Sequence, residues 1–214
     1  RVLFRSEYAA RAAKLLIDGQ NPNGGWAYGF GQGVGAHVDL SVTGWCIQAL
    51  KAFALTEITD PQVDEAMDKA IDYVKKCQDS AGRFKYTLEQ TNGKNSLTGT
   101  GVLSLQIWKN ANSPEANKGL DYIIENRLFE DWAKVDVYEW YYHAQACFQS
   151  TGVGSSKYWR EWNKNFQQVV VKAQASDGHW PHGAHFHGDT DLYRTTMAIL
   201  MLEVYYRYAP MSKV

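Results

Sequence analysis

Three heptads of one pattern constrain this chain more than anything else in it: QNPNGGW from Gln20 to Trp26, QDSAGRF from Gln78 to Phe84 and QASDGHW from Gln174 to Trp180. Each reads Gln, three residues, Gly, one residue, then Trp or Phe, and a spacing this strict marks a repeat protein. The surroundings repeat too. After a polar, glycine-bearing stretch, each copy leads into an apolar helix opened by a small acid or hydroxyl: Asp39-Leu40 then Thr43, Ser96-Leu97 then Thr100, Asp191-Leu192 then Thr195. A degenerate fourth copy fits the gap, with Arg127 in place of Gln and with Asp136, Gln145 and Ala146 matching Asp39, Gln48 and Ala49.

Helical periodicity and stop signals between the heptads predict eight helices. They run over Arg5 to Gly19, Asp39 to Leu55, Asp60 to Gln78, Ser96 to Ala111, Ser113 to Asn126, Asp136 to Ser150, Ser156 to Ala173 and Asp191 to Tyr208. Asp60-Pro61 and Ser113-Pro114 are strong starts, because Asp or Ser caps the first turn and Pro suits it. The glycine-rich stretch from Asn21 to Ala36 cannot stay helical, and no strand-like alternation of useful length occurs. The class is all-α, one domain over residues 1–214, with four helical hairpins joined in the same order. An arc or ring follows, in which one kind of helix faces inward and the other outward.

With 214 residues, 45% hydrophobic content and 21% charge, the chain is ordinary for a globular protein with one core. A net charge of -1 gives no basic field, which argues against nucleic acid as a partner. The most apolar run, Met197 to Tyr206, is broken by Glu203 and is too short to cross a membrane. Cys46, Cys77 and Cys147 suggest neither a disulfide framework nor a metal pair. Starting at Arg1 without a leader-like segment, the sequence is expected to be a mature protein or a piece of a longer one.

Upstream of each Gln the pattern continues: Lys69-Ala70 and Tyr73-Val74 before Gln78, Arg11-Ala12 and Leu15-Leu16 before Gln20, Lys118-Gly119 and Tyr122-Ile123 before Arg127. Extended this way, it resembles the QW repeat of the terpenoid cyclase and protein prenyltransferase superfamily over nearly the whole chain. The resemblance implies an α/α toroid whose repeat Gln residues have a structural role. Such toroids have about six hairpins, against four here. The stretch from Asp191 to Pro210 resembles a poorly characterised bacterial branch of squalene-cyclase-like proteins, which implies a domain of a larger bacterial chain.

Two enzymatic activities implied by the resemblance lack parts. An Asp-x-Asp-Asp proton donor would fall on Asp189-Thr190-Asp191-Leu192, which makes Asp189 and Asp191 the catalytic candidates, but the third acid is replaced by Leu192. Capping is the simpler role for Asp191, since it matches Asp39 and Asp136. Zinc-dependent prenyl transfer would use Asp136, but its Cys and His partners are replaced by Tyr138 and Arg194. No cofactor is expected.

The expected function is therefore a degenerate, non-catalytic domain that binds an apolar ligand, a sugar or a protein partner, including a copy of itself. A terpenoid-cyclase-like enzyme using Asp189 and Asp191 is the alternative, and a glycan-processing enzyme using Glu139 with Asp136 or Asp191 the second. Trp45, Asp136, Tyr138, Trp140, His143, Tyr193 and Met197 are the candidate ligand-binding residues, although helical spacing makes core packing equally natural for most of them. His179, His182, His185 and His187, beside Asp189 and Asp191, have the donor chemistry for a divalent metal, with a solvated polar loop as the simpler role.

Overall fold

A computed structural model describes residues 2–30, 36–56, 58–126, 131–154, 156–183 and 189–206. Among them are eight α-helices: α1 (Val2–Asp18), α2 (Leu40–Ala54), α3 (Pro61–Lys76), α4 (Asn95–Ile107), α5 (Pro114–Glu125), α6 (Val137–Gln149), α7 (Ser156–Lys172) and α8 (Asp191–Leu202). The chain is all-α, as the periodicity predicts. The one sheet among the described residues is a pair of two-residue antiparallel strands, Trp26–Ala27 and Val38–Asp39, which no alternation in the sequence announces. Arg127 lies outside the described residues.

The starts follow local chemistry. Asp60 accepts from Gln62 N at 2.9 Å with Pro61 in the first turn, and Ser113 accepts from Ala116 N at 3.2 Å with Pro114. Two ends fall short of the expected bounds. α4 stops at Ile107 rather than Ala111, and the helix expected to reach Tyr208 gives way to a 3-10 turn over Glu203–Tyr205.

The even-numbered helices pack in chain order, α2 on α4, α4 on α6 and α6 on α8, while α3, α5 and α7 each pack on the even-numbered helix before them. α4 is central, with every residue from Leu97 to Ile107 buried. Its neighbours come close because small residues permit it. A Cβ on Gly44 would stand 2.7 Å from the Thr100 methyl, and one on Gly99 2.7 Å from the His143 backbone nitrogen. The three cysteines are buried, and none is in a disulfide.

Each heptad forms the same turn. The second residue of the motif donates to the carbonyl of the sixth at 2.9, 2.8 and 2.9 Å in the three copies. Gly24, Gly82 and Gly178 hold φ of 97, 99 and 94°, a conformation that side chains resist. The Gln amide then closes the turn onto the Gly carbonyl, at 2.8 Å from Gln20, 3.1 Å from Gln78 and 2.9 Å from Gln174. In the first two copies the same nitrogen also grips the next odd-numbered helix: Gln20 donates to Ala66 O in α3 at 2.7 Å, and Gln78 to Glu115 O in α5 at 2.9 Å. Gln78→Ala should therefore cost about 1–2 kcal/mol, with exposed Gln174→Ala costing distinctly less. Urea unfolding of the two variants checks this, and equal losses would refute the bridging role.

The motif aromatic is anchored by its backbone. Trp26 N, Phe84 N and Trp180 N donate to Thr43, Thr98 and Thr195 at 3.0, 3.3 and 2.9 Å. This corrects the register of the second copy. The partner there is Thr98, four residues after the N-cap Lys94, and not Thr100 after Ser96. Lys cannot cap, so the nearest hydroxyl drew the alignment two residues too far.

Candidate functional site

The first turns of α2, α4, α6 and α8 meet around a cavity of about 610 Å³. Its wall takes Ser41 from α2, Ser96 and Leu97 from α4, Val137 and Tyr138 from α6 and Tyr193 and Arg194 from α8, with Lys94, Val135, Asp136 and Asp189 just ahead of those helices. Tyr28 and Tyr86 close it from the loops. A smaller hollow of about 350 Å³ shares Tyr28, Ser41 and Tyr138 and reaches Trp45. One rim thus gathers four partly positive helix ends and the carboxylates that answer them.

Each carboxylate has a definite task. Asp39, fully buried, caps α2 through Val42 N at 2.9 Å and accepts from Ser41 Oγ at 2.6 Å and Tyr86 Oη at 3.1 Å. Burial and this carboxylate push the Tyr86 phenol up to about 12. Asp136 caps α6 with Oδ1, which accepts from Tyr138 N at 3.0 Å and Glu139 N at 3.1 Å. α4 is the exception, since its cap residue Lys94 makes no side-chain cap bond.

Asp189 belongs to a buried ion pair. Arg194, with no exposed surface, donates to it from Nε at 2.6 Å and from a terminal nitrogen at 2.9 Å, and Gly183 N adds a bond at 3.2 Å. The remaining guanidinium donors reach Val135 O at 3.0 Å and Trp132 O, with the Trp132 ring 5.1 Å from the guanidinium carbon. This one side chain ties the start of α8 to the segment 132–135.

Asp191 does not cap α8. Thr190 does, accepting from Tyr193 N at 3.1 Å, because Thr190 holds the extended backbone a cap needs. The half-exposed Asp191 carboxylate turns to His182, accepting from its backbone N at 2.6 Å and lying 2.8 Å from its Nδ1, contacts that hold it below the usual carboxylate range. His179 Nε2 stands 3.9 Å from the other oxygen. His185 and His187 lie outside the described residues, and among the described ones no three His, Cys, Asp or Glu side chains are grouped to hold a metal.

The other candidates divide. Asp136, Tyr138 and Tyr193 meet on the cavity wall, and Trp45 borders the smaller hollow. Trp140, His143 and Met197 are packed in the interior: Trp140 meets Trp162 edge-on at 5.6 Å, and His143 meets the same ring at 5.4 Å while bonding Asn95 O at 3.2 Å. Glu139 Oε1 stands 3.7 Å from His143 Nδ1. Burial, reinforced by Asp136, pushes the Glu139 carboxyl up to about 7, and burial holds the His143 imidazole down to about 4. The Tyr138 ring lies 5.0 Å from that of Tyr142, and the hydroxyls of both are buried.

Tyr28, Tyr86 and Lys94 went unrecognised in the sequence, since residues outside the α-helices carry no periodicity to place them, and Ser96 reads there only as a helix opener. No helix among the described residues is long and apolar enough to cross a membrane. Compared with known proteins, the sequence matches no family model and no curated protein.

Proposed function

We propose that this chain is a non-catalytic, ligand-binding repeat domain of the squalene-cyclase and prenyltransferase type, and that its ligand is a saccharide held in the rim cavity. The composition of the wall carries the proposal: Tyr28, Tyr86, Tyr138 and Tyr193 share it with Asp136, Ser41, Ser96 and Lys94. Sugars present C–H faces that pack on aromatic rings and hydroxyls that need oriented acceptors and donors. The Asp136 carboxylate on the wall suits that need as an acceptor, and Ser41, Ser96 and Lys94 as donors.

The same geometry argues against catalysis. Proton-initiated cyclisation requires a carboxyl that carries a proton into the cavity. Both oxygens of Asp189 accept from Arg194, and the half-exposed Asp191 is engaged by His182. Glycoside hydrolysis requires two carboxyls flanking the sugar, and Glu139 is not on the cavity wall beside Asp136.

Titration calorimetry of the purified chain against a panel of oligosaccharides tests this. Tyr28 is 71% exposed, so Tyr28→Ala leaves the core intact. The variant is expected to weaken binding by about tenfold. Saturable binding of a long-chain lipid with no saccharide bound would overturn the ligand class, and turnover of a bound saccharide would overturn the non-catalytic assignment.

A further inference from the structure

Among the described residues, no helix lies against the third heptad as α3 and α5 lie against the first two. Gln20 reaches Ala66 O, twelve residues before Gln78, and Gln78 reaches Glu115 O, twelve before Arg127. Gly24 and Gly82, both buried, press on the same helices: an added Cβ would stand 2.2 Å from Lys69 O in the first case and 2.8 Å from Lys118 O in the second. Lys69 and Lys118 lie nine residues before Gln78 and Arg127. Gln174 and Gly178 keep the same turn, yet both are exposed, and a Cβ on Gly178 would meet only the Gln174 amide, at 4.0 Å.

The flanking helices carry the same unfinished pattern. α7 and α8 show Val171, Leu192 and Ile199 more than half exposed. At the other end of the array, α1 and α2 show Tyr8, Leu15 and Trp45 more than half exposed. Here a complete docking turn stands at one end and an uncovered odd-and-even helix pair at the other.

We propose that the α7–α8 edge is covered by the α1–α2 edge of a second copy of this chain, joined head to tail in the register the chain uses internally. Counting back from Gln20 as from Gln78, Gln174 donates to the second copy's Tyr8 carbonyl, and Gly178 seats against the backbone at its Arg11. Such an interface is heterologous, with different surfaces on the two molecules.

Sedimentation velocity on the full chain tests the proposal with one variant at each edge, Gln174→Ala/Ile199→Glu at the tail and Leu15→Glu at the head. All three positions are exposed, and unchanged thermal melting verifies that each variant folds. Wild type is expected to grow beyond its 24.2 kDa mass at concentrations on the order of ten micromolar, with each variant weakening association by at least about tenfold. Mixing the two variants restores one intact head and one intact tail, so a heterodimer is expected to form and go no further. A monomeric wild type at concentrations on the order of a hundred micromolar would overturn the proposal. So would a variant mixture that stays monomeric, or an association that only one of the two variants disrupts.

Discussion

Replacing Arg194 with methionine is expected to cost about 3–5 kcal/mol, the largest loss available to a single substitution around the cavity. Arg194 is fully buried, and its partner Asp189 has a side chain only 5% exposed. Removing the guanidinium strands that carboxylate and takes from Trp132 O and Val135 O the donor each now uses. The loss should therefore exceed that of an ordinary hydrogen bond, about 1 kcal/mol. A buried ion pair contributes little net stability over an apolar substitute, whereas breaking it is expensive. The double variant Arg194→Met/Asp189→Asn is accordingly expected to be more stable than Arg194→Met alone by about 1–3 kcal/mol. Urea unfolding of wild type, both single variants and the double variant completes the cycle, and strictly additive losses would show that the pair does not act as a unit.

That pair also marks where the sequence stops being legible. The heptads set out the turns in advance, because a positive-φ glycine and a Gln amide leave a fixed spacing. Helices with helix-starting dipeptides, such as Asp60-Pro61, are where the chain predicts them. The Asp189 and Arg194 contact crosses a loop and a helix start, and no period links the two. By type, Asp189 reads as a candidate acid and Arg194 as a missing ligand. Only the fold brings Trp132 O and Val135 O onto the same guanidinium.

The cavity wall divides for a similar reason. Asp136, Tyr138 and Tyr193 were legible because first-turn residues of a repeated helix start share one rim. Trp140, His143 and Met197 have the same helical spacing, but they lie on faces that turn into the core. Periodicity identifies a buried stripe without saying whether protein or ligand fills the space beside it. Capping chemistry fails at Lys94 and Asp191 for the opposite reason. A residue type that favours a role does not guarantee it, and an adjacent residue, Thr190, takes the cap in α8.

Beneath the cavity, Glu139 and His143 should give the fold a dependence on pH that single substitutions separate. The Glu139 carboxyl rises from 4.5 to about 7 on folding, so between those values the native state keeps a proton that the unfolded chain has released. Stability therefore falls as pH rises through this window, by about 3 kcal/mol in all. His143 falls from 6.5 to about 4, so the unfolded chain binds the extra proton there and stability rises with pH. The two slopes oppose each other between pH 4.5 and 6.5, which leaves wild type nearly flat. Glu139→Gln removes the falling slope and exposes the rising one. Measured by urea unfolding, the variant is expected to gain about 3 kcal/mol on wild type between pH 4.5 and pH 8. A constant offset across that range would mean that Glu139 titrates alike in both states. The physical origin of the effect is first the burial of Glu139, which disfavours its charged form, and then the Asp136 carboxylate, which serves the cap and the cavity while disfavouring a second negative charge one helical turn away.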